Sequence, residues 1–159
     1  MAKVLVTYYS RSGNTQKMAE SVAAGAKEVA GVEVEVRPTA EVTPDDLLKF
    51  DGIIMGSPVY YGGMAAELKT LIDESVKHHG KMTGKVGGAF ASSGAIGGGT
   101  ETTVLDILRA MLIHGMVVQG DASGAHYGAV AFGAPDERGC KECVKLGRRV
   151  AQLSKKLAG

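Results

Sequence analysis

Two spacings of apolar residues alternate along the chain, and each change of spacing predicts a new secondary-structure element. Residues 4–8 are an almost continuous apolar run, typical of a buried strand, whereas residues 16–29 place apolar side chains on one helical face. Valines at positions 32, 34 and 36 then alternate with glutamates, which indicates a half-exposed strand. We therefore expect this second strand at an edge of a sheet.

The rest of the chain continues the alternation of strands and helices. Residues 43–46 combine a capping threonine, a proline and two acids, which is typical of the first turn of a helix. Further strands are predicted at residues 52–55, 86–91 and 116–119, the last resumed at 129–132, and further helices at 65–76, 100–113 and 136–157. Five strand–helix units predict a single α/β domain over residues 1–159. Its doubly wound parallel sheet would have five strands in the order 2-1-3-4-5, with helices on both faces.

Composition and charge narrow the possible functions. Hydrophobic residues make up 45% of the 159 residues, charged residues make up 22%, and the formal net charge is +1. This is the profile of an ordinary globular domain, and it gives no support to nucleic-acid binding, which usually needs a clustered basic excess. No apolar run approaches the roughly 20 residues of a membrane-spanning helix, and no signal-peptide pattern opens the chain. Two cysteines do not make a disulfide framework, so we expect a cytoplasmic protein.

Glycine and hydroxyl residues are concentrated in three loops, each of which follows a predicted strand. The loops cover residues 10–15, 57–64 and 92–100, in a chain with 23 glycines. In a 2-1-3-4-5 sheet these loops leave the three middle strands at their carboxyl ends, where open α/β sheets bind ligands. We therefore expect the three loops to meet in space and to bring backbone close to a ligand.

The first loop has the chemistry of a phosphate site. Ser10, Ser12, Asn14 and Thr15 supply hydroxyl and amide groups where a helix begins, and the free N–H groups and dipole of a helix start favour an anion. Gly13 lets the backbone fold around a small group. Neither a Walker lysine nor a GxGxxG pattern is present, so a phosphate monoester fits better than a nucleoside triphosphate. The alternative is an elaborate helix cap, because serine, asparagine and threonine all cap helices well.

Several segments of the sequence resemble those of known flavoproteins. Residues 10–15, SRSGNT, resemble the phosphate loop of flavodoxins. GSPVYYGGM at 56–64 and SSGAIGGGTE at 92–101 resemble the second and third flavin loops of the WrbA-type NAD(P)H:quinone oxidoreductases. His114, followed by Gly-Met, resembles the start of their fifth strand, and the resemblance extends over nearly the whole chain. It implies a flavodoxin-like fold, an FMN cofactor, and two-electron reduction of quinones by NADH or NADPH.

The loop chemistry and the resemblance together predict the residues that bind FMN. Pro58 fixes the backbone of the second loop, and Tyr60 and Tyr61 either pack against the flavin ring or form an ordinary half-buried pair at the surface. The glycines at 97–99 are either a flexible loop or a point where a ligand approaches the backbone, which the helix start after them favours. Tyr127 lies in a loop expected to cover the flavin site of the same or a neighbouring subunit. The predicted cofactor-binding residues are Ser10, Arg11, Ser12, Gly13, Asn14, Thr15, Pro58, Val59, Tyr60, Tyr61, Gly62, Ser92, Ser93, Gly94, Ala95, Ile96, Gly97, Gly98 and Tyr127.

His114 is the one candidate for a catalytic side chain, since the flavin itself would carry the chemistry. It precedes the fifth strand, and the sequence leaves open which edge of the sheet it occupies. In the resembling family two histidines commonly precede the Gly-Met pair, whereas Ile113 takes the first of these positions here. The alternative is a hydrogen-bonded structural histidine. We predict that His78 and His79, which end a helix, lie at the surface.

The two cysteines form a C-x-x-C pattern, Cys140 and Cys143, inside the last predicted helix. A redox pair of the thioredoxin type would instead open the first helix of a βαβ unit. Both thiols fall on the apolar stripe of the last helix, so we interpret them as core residues. No set of four metal ligands is recognisable, and we predict no metal site.

Two functions remain open. The first is an FMN-dependent reductase that passes electrons from NADH or NADPH to a quinone, with the flavin carrying the chemistry. The alternative is a flavodoxin-type electron carrier without nicotinamide activity. Such carriers are generally strongly acidic, whereas this chain has 17 acids and 18 bases. Arg11 adds positive charge that suits an anionic nucleotide such as NADPH, or it is simply a solvated turn residue.

The chain also departs from the family that it resembles. WrbA-type proteins are longer, with extra segments after strand two and near strand five, and they usually have a tryptophan near the acceptor site, which is absent here. In that family the extra segments contribute to tetramers and to active-site walls. We expect a homo-oligomer, either a dimer or a tetramer, that acts on a small-molecule quinone or a similar acceptor.

Overall fold

The computed structural model describes residues 1–159 and has the predicted α/β architecture. The strands are β1 (Ala2–Tyr8), β2 (Val32–Pro38), β3 (Gly52–Tyr60), β4 (Gly63–Met64), β5 (Val86–Ser93), β6 (Val117–Val118) and β7 (Ala129–Phe132). The helices are α1 (Asn14–Lys27), α2 (Pro44–Leu47), α3 (Ala66–Glu74), α4 (Thr100–Ile113) and α5 (Glu137–Leu157), with 3₁₀ turns at Thr39–Glu41 and Ser75–His78. Judged by length and apolarity together, none of the helices could span a bilayer.

The parallel sheet has the predicted strand order. β2, β1, β3 and β5 lie side by side, and the fifth position is shared by β6 and β7, both parallel to β5. β6 pairs with the start of β5 and β7 with its end, which confirms the prediction of a strand that is interrupted and then resumed. The chain returns to the sheet at Gly128, where a Cβ atom would lie 2.1 Å from the carbonyl oxygen of Ala89. Only glycine allows two backbones to approach so closely.

The strands send successive side chains to opposite faces of the sheet, and each face has its own core. In β1, Val4 and Val6 enter the core beneath α1 and α5, whereas Leu5 enters the core beneath α2, α3 and α4. β3 divides in the same way, with Ile54 on the first face and Ile53 on the second. Because both faces are covered, these strands are apolar at successive positions, whereas the edge strand β2 is half-exposed, as predicted.

Helices α1 and α5 pack backbone against backbone on the first face. A Cβ atom at Gly147 of α5 would lie 1.8 Å from the carbonyl oxygen of Val22, and one at Gly25 of α1 would lie 2.0 Å from that of Val144. Glycine lowers helix stability by about 1 kcal/mol relative to alanine, so its place in both helices reflects this packing rather than helix propensity. The two helices are therefore fixed to each other at a short distance.

Two element boundaries near the loops differ from the predicted ones. β3 continues to Tyr60 instead of ending at residue 55, because residues 56–58 still pair with β5 and residues 59–60 pair with β4 in a hairpin. The turn residues Tyr61 and Gly62 have φ angles of 48° and 81°, and a type I′ hairpin turn requires positive φ at both central positions. α1 begins at Asn14 rather than at residue 16, so Asn14 and Thr15 belong to its first turn.

Predictions for three single side chains had different outcomes. The surface position predicted for His78 is wrong: the side chain is buried, and its Nε2 lies 2.6 Å from Asp45 Oδ1. The 3₁₀ turn that contains His78 packs against α2, and this contact covers the ring. Cys143 is a buried core thiol, as predicted, and burial raises its pKa to about 12. Cys140 is only partly buried, so its predicted place in the core is confirmed only in part.

Candidate cofactor site

The three loops meet at the carboxyl edge of the sheet, as predicted. The first and third are joined by a buried hydrogen bond of 2.9 Å between Thr15 Oγ1 and Ser92 Oγ. The second and third are joined by Thr102 of α4, whose hydroxyl donates to the carbonyl oxygen of Gly62 over 2.8 Å. The topology thus brings three segments that are distant in sequence into one continuous surface.

The first loop presents backbone donors at the start of α1. The N–H groups of Ser12, Asn14 and Thr15 have no hydrogen-bond partner within the chain. Ser10 Oγ accepts from the N–H groups of Gly13, at 3.1 Å, and of Gln16, at 3.3 Å. Ser10 therefore satisfies two donors at the helix start, as the alternative interpretation of a helix cap requires, but the N-cap residue itself is Gly13, which has no side chain to cap the helix. The remaining donors face outward at the positive end of the helix.

These donors fit a phosphate monoester in charge as well as in geometry. Gly13 has a φ angle of 92°, and no residue of the first loop is acidic. Arg11 is exposed and forms no ion pair within the chain, so its positive charge is available near the helix start. Several unpaired N–H groups with a nearby guanidinium and no carboxylate form a site that favours a dianion.

The second loop is a rigid hairpin rather than an irregular loop. Ser57 Oγ accepts from the N–H of Ala65 at 2.8 Å and donates to the carbonyl oxygen of Pro58 at 2.7 Å, so this buried hydroxyl fixes both strands of the hairpin. Tyr60 stands edge-on to Tyr9, the residue just before the first loop, with 6.3 Å between ring centroids. Tyr61 is fully exposed at the tip. The hairpin therefore presents its aromatic side chains at the rim of the site.

The third loop is an ordered turn rather than a flexible glycine tract. The Ser93 hydroxyl and the Gly98 N–H both donate to the carbonyl oxygen of Ala95, at 2.8 Å and 3.1 Å. Gly99 has a φ angle of 112°, and a Cβ atom there would lie 3.0 Å from the Cα of Gly62. Ser92 and Ser93 are buried at the end of β5, and the exposed part of the loop consists of Gly94, Ala95, Ile96, Gly97 and Gly98.

Four residues that position these loops are not among the predicted cofactor-binding residues. Tyr9, Ser57, Gly99 and Thr102 each bridge two segments; Ser57 and Gly99 lie inside the predicted loops, whereas Tyr9 and Thr102 lie just outside them. Ser57 had a usable signal for this role, because a serine that ends a wholly apolar strand needs a hydrogen-bond partner.

His114 does not lie with the loops. It caps α4 at the opposite, amino edge of the sheet, where its Nε2 donates to Ser75 Oγ over 2.7 Å and its ring is buried. Ser75 in turn donates to the carbonyl oxygen of Ile72 at 2.6 Å. Burial and the neighbouring His79 and His78 lower the pKa of His114. The structure thus answers the question of its position, and it gives His114 the hydrogen bonding of a structural residue.

Tyr127 lies beyond the third loop, beside β7. It is half-exposed and lines a small cavity together with Glu101 and Arg138. Its loop connects β6 to β7, where the chain leaves the sheet and returns to it, and its role as a cover over the flavin site of the same or a neighbouring subunit stays a prediction.

An anion-binding helix start flanked by two glycine-bearing turns, all at the carboxyl edge of a 2-1-3-4-5 sheet, is the arrangement of a flavodoxin-like protein. The sequence model of the NADPH-dependent FMN reductase family matches residues 38–129. The chain is 42% identical to a flavodoxin from Aquifex aeolicus, over 96% of this chain and 86% of that protein. It is 33% identical to an NAD(P)H dehydrogenase (quinone) from Archaeoglobus fulgidus, over 99% of this chain and 100% of that protein.

A solved structure agrees with the sequence comparisons. The flavodoxin, WrbA-like protein from Agrobacterium tumefaciens has a TM-score of 0.82 to this chain at 26% identity, over 98% of this chain and 99% of that one. The chain belongs to the flavodoxin-like, FMN-binding family of oxidoreductases.

The described residues fit the FMN of this family. The unpaired N–H groups of Ser12, Asn14 and Thr15 would hold the phosphate, and the backbone of the second and third loops would hold the ring. A Cβ atom at Gly94 or Gly97 would meet nothing within 4 Å, so ligand atoms can approach the backbone there. When bound, FMN supplies the ability to accept and release electrons, and the protein supplies position and electrostatics.

Proposed function

We propose that this protein is an FMN-dependent oxidoreductase that transfers two electrons from NADH or NADPH to a quinone. The observation that carries the proposal is the character of the rim around the site. Residues 10–15, 57–64 and 92–100 contain no acid, and Tyr60, Tyr61 and Ile96 are exposed around them. The loops themselves carry no acid, and their exposed aromatic and apolar side chains suit flat ring substrates. The nearest carboxylates lie just outside the loops, Glu67 beside Tyr9 and Glu101 beside Thr100.

The balanced reaction consumes one NAD(P)H, one proton and one quinone, and it yields NAD(P)⁺ and a hydroquinone. In this reaction the chain binds and orients its ligands. Thr15 and Ser92 lock the first loop to the third, and Thr102 locks the hairpin to α4, so both ring-binding segments keep a fixed separation. Such fixed positions lower the activation barrier of electron transfer because they hold the reacting rings at a suitable distance and orientation. The charge of Arg11 favours the approach of the anionic nucleotide.

We assign His114 a structural role in this proposal. It lies at the amino edge, its Nε2 is engaged by Ser75, and its Nδ1 is buried. General acid–base catalysis requires hydrogen-bond reach to the reacting group, which a ligand at the carboxyl edge would not offer to His114.

A relative supports the nicotinamide and quinone part of the proposal. The Archaeoglobus fulgidus protein that aligns with nearly the whole chain is an NAD(P)H dehydrogenase (quinone). The second candidate function is a flavodoxin-type electron carrier, which the 42% identity to the Aquifex aeolicus flavodoxin favours. The absence of acids on the loops is the feature that distinguishes the chain from such a carrier, because carriers use negative charge to steer toward basic partners. We further propose a cytoplasmic homo-oligomer, dimer or tetramer, which sedimentation would test.

The deciding experiment is anaerobic stopped-flow mixing of the FMN-loaded protein with NADH and, separately, with NADPH. We expect rapid loss of the visible flavin absorbance with at least one nucleotide, and its return on addition of benzoquinone. A protein that dithionite bleaches but neither nucleotide does would be an electron carrier. A protein that does not retain FMN at all would contradict the assignment of the first loop.

A further inference from the structure

A cleft of about 420 Å³ lies next to the candidate cofactor site, at the carboxyl end of β7. Ile96 of the third loop forms one wall, Phe132 at the end of β7 forms another, and the first turns of α5 close it. Ile96 is 83% exposed and Phe132 is 45% exposed, so both present apolar surface to the opening. The third loop therefore has two sides, with the cofactor site on one and this cleft on the other.

A smaller cavity of about 210 Å³ adjoins the cleft. The two share Glu101, Ala125, Val130 and Arg138, and the smaller one is lined in addition by Tyr127. Glu101 and Arg138 thus lie at the junction of the two compartments, while Asp136 and Glu142 line only the larger one and His126 only the smaller one. Together they form an elongated site of the size that small organic ligands occupy.

Arg138 is the unusual member of the lining. Four of the six arginines, Arg37, Arg109, Arg148 and Arg149, form ion pairs within the chain. Arg11 and Arg138 form none, and both lie at the carboxyl edge of the sheet. An exposed guanidinium with all its donors free, next to apolar walls, is suited to bidentate binding of a phosphate.

Two of the three carboxylates of the lining are only partly engaged. Asp136 accepts from the Gly139 N–H at 2.7 Å through Oδ1, and Glu101 accepts from the Thr100 hydroxyl at 2.9 Å through Oε2, which leaves the second oxygen of each without a partner within the chain. The third, Glu142, uses both oxygens, accepting from Lys145 at 2.9 Å and from the Ala125 N–H at 3.2 Å. Free carboxylate oxygens near a nucleotide phosphate site are the usual acceptors for ribose hydroxyls.

We propose that this cleft binds the adenosine diphosphate half of the nicotinamide nucleotide. Three chemical features of that ligand have counterparts here: Phe132 and Ile96 for the flat base, free carboxylate oxygens for the ribose, and Arg138 for the diphosphate. The inference rests on the proposed function, and it adds a location for the part of the nucleotide that does not react. Binding energy from that remote half would hold the nicotinamide at the loops across Ile96.

The first test measures binding without any reaction. The FMN-loaded protein is titrated with ADP-ribose by calorimetry, so that the first loop is already filled. Arg138→Gln removes the exposed cation, and we expect it to weaken ADP-ribose binding about tenfold, as the loss of a charge-assisted hydrogen-bond pair predicts. Lys141→Gln is the matched control, since it removes a cation one turn further along α5 and outside the cleft. The affinity of this variant for ADP-ribose should match that of the unmodified protein. Equal affinities for the two variants would overturn the proposal.

The second test separates this inference from the proposed function. In stopped-flow reduction, Arg138→Gln should raise the half-saturating concentration of NADH about tenfold and leave the limiting rate unchanged. With reduced nicotinamide mononucleotide, which lacks the adenosine half, the variant and the unmodified protein should be equal. If ADP-ribose binds through Arg138 but neither nucleotide bleaches the flavin, the proposed binding site is supported and the proposed function is contradicted. If NADH bleaches the flavin and ADP-ribose does not bind, the proposed function is supported and the proposed binding site is contradicted.

Discussion

The two edges of the sheet use polar groups in opposite ways. At the amino edge, His114 is hydrogen-bonded to Ser75 through Nε2, and the Lys85 ammonium donates to the carbonyl oxygen of Leu48 at 3.0 Å, so both side chains have at least one partner within the chain, although the buried Nδ1 of His114 has none. At the carboxyl edge, backbone donors such as that of Ser12 have none, and aromatic rings face solvent. Histidine, serine and lysine would attract functional attention anywhere in a sequence. Their pairing, rather than their identity, separates the structural edge from the binding edge.

The largest effect should follow from placing a carboxylate among the unpaired donors. Ser12→Asp puts a negative charge beside the predicted phosphate position, and we expect FMN affinity to fall about 100-fold through charge repulsion at short range. Titration of the quenching of flavin fluorescence gives the dissociation constant. Thr70→Asp on the exposed face of α3 adds the same charge elsewhere and should leave the constant unchanged. Equal affinities for the two variants would remove the first loop from the site.

At the amino edge the same logic predicts a loss of stability without a loss of binding. His114→Ala leaves the buried Ser75 hydroxyl without one partner and opens a cavity, which should lower the free energy of unfolding by about 2 kcal/mol. FMN affinity should not change. His79→Ala, which removes the neighbouring but exposed ring, 6.2 Å from that of His114 between centroids, should alter stability by less than about 0.5 kcal/mol. Urea unfolding and FMN titration measure the two quantities. A drop in FMN affinity with His114→Ala would contradict the interpretation that the amino edge has only a structural role.

A smaller effect should distinguish two glycines within the carboxyl edge itself. Gly99→Ala forces a side chain into a φ of 112° and against Gly62, and we expect it to destabilise the protein by about 1 to 2 kcal/mol. Gly94→Ala has an ordinary φ and open space around its Cβ position, so its stability should be nearly unchanged. Thermal unfolding of both variants tests this directly. Equal melting temperatures would mean that the contact between the hairpin and the third loop contributes nothing to stability.

The smallest effect concerns pH. Because the pKa of His114 is lowered in the folded state, the unfolded chain binds the proton more readily, and folding is favoured when this histidine is neutral. Its contribution is therefore fully present above about pH 6.5, the ordinary pKa of histidine, and declines as the pH falls through that of the folded state. The unfolding free energy, measured between pH 5 and 8, should fall as the pH is lowered, and it should fall less steeply in His114→Gln. An equally steep fall in that variant would mean that groups other than His114 cause the pH dependence.

Local pattern sufficed for most of the fold because the elements are strongly periodic. The run at residues 4–8 and the valine–glutamate alternation after residue 31 can each fit only one position in a doubly wound sheet, which fixes the middle and the edge. The three loops could likewise be placed together, since strand order determines which carboxyl ends adjoin. The edge occupied by His114 could also have been derived, because a helix that starts at the carboxyl edge must end at the amino edge.

The remaining features depend on contacts that no local pattern records. The hairpin was missed because Tyr61 occupies a turn position with positive φ, where asparagine, aspartate or glycine is the usual signal. His78 is buried because the 3₁₀ turn after α3 packs against α2, and neither element predicts the other. The cleft beside β7 arises from segments that adjoin only after the chain has left the sheet and returned, so its lining is scattered from Ile96 to Glu142.

The contact between α1 and α5 has a consequence for synthesis on the ribosome. α1 is made early and carries the phosphate loop at its start, yet the helix against which its glycine packs is the last to be made. Glu28 and Arg148, which pair across this contact, are 120 residues apart. Until α5 emerges, one apolar face of α1 remains uncovered, and a short helix without its packing partner is only marginally stable. The loop that opens α1 therefore reaches its final form only after residues 137–157 have emerged and α5 has packed against α1.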